Sequence, residues 1–149
     1  MALIQLVQEK IVKTPLESTD KPDVLRELVQ ILKDAGEIGD FDAVLTAVQD
    51  REDKQSTGLQ DGIAVPHGKT VAVKCLKLAI GLAPQGIDFN SLDKAPSKLF
   101  FLLVAPPDMA GPHVQALAEI AKLAQSKAFC KALANAESAA EAVELLQGE

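Results

Sequence analysis

Lys98-Leu99-Phe100-Phe101-Leu102-Leu103-Val104 opens on one charge and then runs apolar without a polar residue in every second place. A strand with one wet face alternates, whereas an unbroken apolar run of this length belongs to a strand covered on both faces. Pro106-Pro107 stops it. Leu76 to Leu82 reads as a second strand, and Ile63-Ala64-Val65 as a third, because Pro66 disfavours helix before it and brings no N–H to a ladder. That third strand is expected to leave the sheet at Pro66 and present an exposed His67 at its end.

Helical patterns lie between these strands. Thr19 or Asp20 can cap a helix with Pro22 in its first turn, and Val24, Leu25, Leu28, Val29, Ile31 and Leu32 repeat at helical spacing up to Gly36. A second helix begins near Asp40, turns Phe41, Val44, Leu45 and Val48 inward, and ends in Asp50-Arg51-Glu52-Asp53-Lys54. After the last strand Gly111-Pro112 opens a helix with Val114, Leu117, Ile120, Ala121 and Ala124 on one face and His113 in its first turn. Ser138, three residues before Glu141, announces a final helix as a capping box. Strands that interleave with helices give the α/β class, one sheet between helical layers. With no repeat, linker or low-complexity tract, residues 1–149 read as a single domain.

The chain has 149 residues, 48% of them apolar and 24% charged, which is ordinary globular usage. With 21 acidic against 15 basic side chains its net charge is −6. Such a surface repels nucleic-acid backbones and anionic lipid and suits a basic protein partner. Trp and Tyr are absent, so no aromatic platform for stacking bases is present. Cys75 and Cys130 lie far apart with no metal-ligand or disulfide spacing, as expected of a reducing compartment. The N-terminal Met1 to Val7 lacks the basic start of a signal peptide. The run Leu99 to Pro107 is about half of the roughly 20 residues a membrane helix needs. Together these features predict a cytoplasmic protein without membrane insertion, metal or cofactor.

Two histidines are the only groups whose ordinary pKa lies near neutrality. His67 precedes Gly68, which leaves room for a backbone or a ligand to approach. Neutral imidazole is a good nucleophile at pH 7 and can attack phosphorus to form a phosphoimidazole. Phosphoryl transfer then needs in-line positioning and donors for the spreading negative charge. The loop Ser56 to Gly62 offers glycines, N–H groups and the hydroxyls of Ser56 and Thr57, and Arg51 offers a guanidinium with bidentate reach. Near a helix N-terminus His113 is expected to stay neutral and donate one N–H to an anion. Singly, each has a plainer reading: a turn, a helix-end arginine, incidental histidines.

In order and spacing, Arg51-Glu52, Ser56-Thr57-Gly58 and Gly62-Ile63-Ala64-Val65-Pro66-His67-Gly68 resemble the phosphorylation-site signature of fructose/mannitol-type enzyme IIA domains of the sugar phosphotransferase system. Phe89, Asp93, Leu99 to Pro106 and His113 extend the resemblance over nearly the whole chain. Pro66-His67-Gly68-Lys69 and Gly86-Ile87-Asp88-Phe89 look most like the nitrogen-regulatory IIA proteins. The resemblance implies a mixed sheet flanked by helices on both faces and a phosphohistidine at His67. It also implies an HPr-type histidine phosphocarrier protein as donor, Arg51 and His113 flanking the phosphoryl group, and a Ser56-Thr57-Gly58 loop that helps hold it. Many members carry glycine where this sequence has Gln60, and a non-glycine residue disfavours positive φ there.

The recipient of the phosphoryl group would be a regulatory target protein or a IIB domain of sugar transport. The absence of a fused IIB, IIC or HPr-like segment leans toward the regulator. A metal-dependent hydrolase using His67, His113 and Asp61 is the alternative of another class, although the two histidines lack HxxxH or HxH spacing. A binding module that keeps the fold without phosphorylation is a third.

Overall fold

The computed structural model describes residues 2–59 and 61–148, so the expectation at Gln60 lies outside the described residues. Its elements run α1 (Ala2–Leu6), a 3-10 turn (Glu9–Ile11), β1 (Val12–Lys13), α2 (Lys21–Asp34), α3 (Phe41–Lys54), β2 (Ile63–Ala64) and β3 (His67–Lys69). They continue with β4 (Lys77–Ile87), β5 (Ser97–Ala105), α4 (Ala110–Leu123), α5 (Lys127–Ala134) and α6 (Ala139–Gly148). The sheet is mixed. β4 and β5 are antiparallel, β1 lies parallel to β4 on one edge, and β2 and β3 lie parallel to β5 on the other. β5 is central and buried from Leu99 to Ala105, as its apolar run predicts.

α2 and α3 cover one face and α1, α4, α5 and α6 the other. The helix starts follow the sequence closely. The Asp20 and Asp40 carboxylates accept the N–H groups of Asp23 and Ala43, each relieving an orphan donor of the first turn. Ser138 accepts from the Glu141 N–H, while the Glu141 carboxylate reaches back to Glu137, one residue before the usual capping-box partner.

Two expectations are corrected. The chain does not leave the sheet at Pro66: β3 resumes along β5 in the register of β2, with Ile63 opposite Leu99 and His67 opposite Leu103. Pro66 has no N–H, but its carbonyl accepts the Leu103 N–H at 3.0 Å, and an edge strand tolerates the missing donor. The inward face of α4 is also rotated from the expected one. Val114 is 64% exposed, and His113, Ala116, Glu119 and Ile120 point inward. Glu119 is drawn in because its carboxylate accepts the Leu3 N–H at 2.9 Å, and an apolar count does not register such a polar anchor.

Gly68 fixes where the site forms. A Cβ there would lie 3.0 to 3.1 Å from backbone atoms of Ala47 and Val48. A side chain there would press on the α3 backbone, so the glycine favours this close approach of α3 to β3, and the next turn of α3 then brings Arg51 and Glu52 beside the strand that carries His67.

Candidate phosphoryl-transfer site

Side chains alternate across a strand, so with Gly68 turned to α3, His67 turns to the opposite face, where α4 begins. Its ring is half-buried, less open than an exposed strand-end histidine. Its Nδ1 lies 2.8 Å from the Val65 carbonyl oxygen. A carbonyl only accepts, so the ring proton sits on Nδ1, and Nε2 keeps its lone pair. A hydrogen bond thus selects both the tautomer and the nitrogen that can act as nucleophile.

His113 is the fourth residue of α4 and is buried, 2% exposed. Its ring meets that of His67 edge to face, with centroids 5.3 Å apart and planes at 86°. Neither of its nitrogens has a hydrogen-bond partner among the described residues. Buried polar groups are nearly always paired, and an orphaned one costs about 1–3 kcal/mol. These unpaired nitrogens make His113 a candidate donor to a group bound beside His67.

Both rings are held below the ordinary histidine pKa. For His67 the main cause is burial, opposed by the Val65 hydrogen bond; the Arg51 and Lys69 charges push it further down and the Glu52 charge pushes it up. For His113 burial again leads, followed by the charges of His67 and Lys69. The sequence points to the helix dipole as what lowers His113, whereas burial is the leading cause. Both shifts favour the neutral imidazole at pH 7.

Arg51 lies in the last turn of α3 and donates to the Gln55 carbonyl at 2.8 Å, capping its own helix end. The Ser56-Thr57-Gly58 loop runs beside β2, Gly58 bridging antiparallel to Ala64. Both of its hydroxyls and the N–H groups of Thr57 and Gly58 are engaged. The Thr57 N–H and hydroxyl go to Glu52, the Ser56 hydroxyl to the Phe89 carbonyl, the Gly58 N–H to Ser56 Oγ and the Leu59 N–H to the Ile63 carbonyl. Gly58 is required by space, since a Cβ would stand 2.5 Å from Ser91 Oγ. Among the described residues no cluster of three His, Cys, Asp or Glu could hold a metal ion, and no helix is long and apolar enough to cross a membrane.

A family model described as the phosphoenolpyruvate-dependent sugar phosphotransferase system, EIIA 2, matches residues 5–149. The chain belongs to this EIIA family. A fructose-specific EIIA component of Haloferax volcanii is 35% identical over 132 residues, covering 84% of this chain and 86% of that protein. A fructose-specific EIIABC component of Bacillus subtilis is 35% identical over 138 residues, 93% of this chain. The chain spans about a fifth of that relative's length, 22%. The crystal structure of the nitrogen regulatory protein IIA-Ntr from Neisseria meningitidis superposes with a TM-score of 0.89 at 25% identity, covering 98% of this chain and 99% of that one.

Within this EIIA fold the structure brings His67 and His113 together, with the Arg51 charge near enough to act on His67, while the Ser56-Thr57-Gly58 loop is joined to Ala64 and Val65. Two participants escaped the sequence reading. The Val65 carbonyl carries no side-chain signature at all. Glu52 follows Arg51 in a charged run that marks a solvated helix end, yet it is buried and grips the loop with both oxygens.

Proposed function

We propose that this EIIA protein is a phosphocarrier whose His67 Nε2 accepts a phosphoryl group from an HPr-type histidine phosphocarrier protein and passes it on. The supporting observation is the Val65 hydrogen bond, which leaves Nε2 bare on the face shared with His113. In the transfer the P–N bond of the donor's phosphohistidine breaks as a P–N bond to Nε2 forms. The proton stays on Nδ1, where Val65 stabilises the positive charge that the ring gains.

His113 is free to turn one N–H toward the phosphoryl oxygens, and Arg51 adds a permanent charge at the α3 end. α4 starts without a side-chain cap, so the positive end of its dipole also favours negative charge at this spot. Ser56, Thr57 and Gly58 serve by framing the strand that presents His67. The net charge of −6 suits a basic donor surface. The reading places the protein in the cytoplasm beside that donor.

For the recipient we propose a regulatory target protein, as for nitrogen-type IIA proteins, supported by the likeness to the Neisseria structure over almost the full length of both chains. The 35% identity to a fructose-specific EIIA component supports the second reading, transfer to a IIB domain. Incubation with phosphorylated HPr-type protein from the same organism, followed by capture of acceptors, tests both. Label on the protein is expected. Onward transfer to a IIB domain at a rate matching loading would decide for transport, and no label at all would sink the carrier.

A further inference from the structure

We propose that Glu52 is a positioning residue for His67, acting through a relay of hydrogen bonds in which its carboxylate clamps Thr57, Thr57 holds Val65, and Val65 holds the imidazole. Glu52 Oε2 accepts the Thr57 N–H at 2.8 Å, and Oε1 accepts the Thr57 hydroxyl at 2.6 Å. The Thr57 carbonyl accepts the Val65 N–H at 3.0 Å, and the Val65 carbonyl lies 2.8 Å from His67 Nδ1. Each link restrains the residue whose other main-chain group makes the next, so the clamp reaches the ring without touching it.

The placement of Glu52 is costly for a carboxylate with only a structural duty. It is 5% exposed, and a buried charge needs a partner and hydrogen bonds. Lys21, the first residue of α2, supplies the counter-charge at 2.9 Å from Oε2, and its ammonium also lies 4.8 Å over the Phe89 ring. Phe89 in turn meets Phe100 edge to face, and its carbonyl takes the Ser56 hydroxyl. The clamp is thereby fastened at both ends, to the core and to the loop. A buried hydrophobic pair at 21 and 52 would pack here but would leave the Thr57 N–H and hydroxyl unheld.

The charged and titratable groups that act on His67 come from three elements: Arg51 and Glu52 on α3, Lys69 on β3 and His113 on α4. Glu52 is the one acid among them and opposes the two cations, which adds to its geometric role.

The inference rests on His67 as the reacting group, and its test reads the ring separately from the reaction. With only two histidines in the chain, nitrogen NMR of histidine-labelled protein resolves both rings. Phosphorylated HPr-type protein measures labelling. In Glu52→Ala the His67 nitrogen shifts are expected to move toward averaged tautomers, and labelling to slow on the order of tenfold to a hundredfold. Glu52→Gln still accepts the Thr57 N–H and can donate to its hydroxyl, so it should recover the tautomer and labelling within a few-fold of the parent. If Glu52→Ala does not fold, Glu52→Asp decides: it keeps the charge for Lys21 but draws the clamp back by one methylene, and partial tautomer mixing is expected. A folded Glu52→Ala or Glu52→Asp protein with parental ring shifts overturns the proposal. So does a Glu52→Gln protein as mixed and slow as Glu52→Ala. A parent that takes no label refutes the carrier reading alone, because the ring shifts still judge the clamp.

Discussion

The loop Ser56 to Gly58 holds the stretch leading to His67 while the first turn of α4 packs against its ring, and they treat hydrogen-bonding capacity in opposite ways. In the loop the hydroxyls of Ser56 and Thr57 and the N–H groups of Thr57 and Gly58 are spent on Glu52, Phe89 and one another. In α4, His113 is buried with both nitrogens unpaired. Sequence composition ranks the loop as the richer anion holder because it counts donors. The folded chain reverses that order because it shows which donors remain free. Capacity left unspent in a buried place, at a cost of about 1–3 kcal/mol, is a stronger mark of function than a larger supply already engaged.

Substitutions can break or sharpen this contrast. The largest effect belongs to the nucleophile: His67→Ala should take no label from a phosphorylated HPr-type donor while circular dichroism shows a parental fold. Residual labelling above one part in a thousand would require another acceptor in the chain.

Next in size is the contrast itself. His113→Leu should slow labelling by roughly a hundredfold to a thousandfold, the usual loss when one donor to a transition-state oxyanion is removed. Its melting temperature should stay level or rise, because two unpaired nitrogens leave the interior. Thr57→Val should do the reverse, lowering stability by about 1–3 kcal/mol by stripping a bond from buried Glu52 while changing labelling only a few-fold. If Thr57→Val is the slower of the two, the loop outweighs α4 in the transfer and the contrast fails.

Arg51→Lys is expected to cost less, on the order of tenfold in labelling, since charge persists and the planar fork is lost. Unchanged labelling would confine Arg51 to capping α3.

The smallest expected effect is on stability against pH. Both histidines are held below their unfolded value of about 6.5, so at higher pH folded and unfolded chains are equally unprotonated and the pair contributes no pH dependence. As pH falls through 6.5 the unfolded chain binds protons that the folded chain refuses, and stability drops until the folded values are passed. Glu27, lowered by Lys13, Ser18 and backbone N–H groups against the cost of burial, loses its contribution only as pH falls from the ordinary carboxylate value toward its lower folded one. Melting curves between pH 7.5 and 5.5 should therefore flatten in the His67→Ala, His113→Leu double variant. An equal slope there would assign the loss to other groups.

How far the sequence reaches follows from the range of each interaction. α2 and α3 were legible because caps and periodicity are local: Asp20 and Asp40 sit three residues from the N–H groups they accept. β5 was legible because burial on both faces leaves an apolar run. β1 was not, since two residues carry no period and owe their state to β4. α5 passed unread because eight residues around Phe129, Cys130 and Leu133 give one short stripe, although Ser126 does cap it. The extension of β4 past Leu82 to Ile87 crosses a register shift and carries Pro84 and Gly86, both of which argue against a strand. In the site, the residue types at 51, 67 and 113 were visible, whereas the tautomer of His67 depends on a main-chain oxygen and the role of Glu52 on a fold-made relay.

The central claim is that phosphate resides on one atom, His67 Nε2. Loading the parent protein from phosphorylated HPr-type donor and locating the phosphate under alkaline conditions, by mass spectrometry for the residue and by phosphorus–nitrogen coupling for the atom, tests it directly. The account predicts a single acid-labile, alkali-stable phosphate on Nε2 of His67, with Nδ1 still protonated toward Val65. Phosphate on Ser56 or Thr57, on His113, or on Nδ1 of His67 would contradict it.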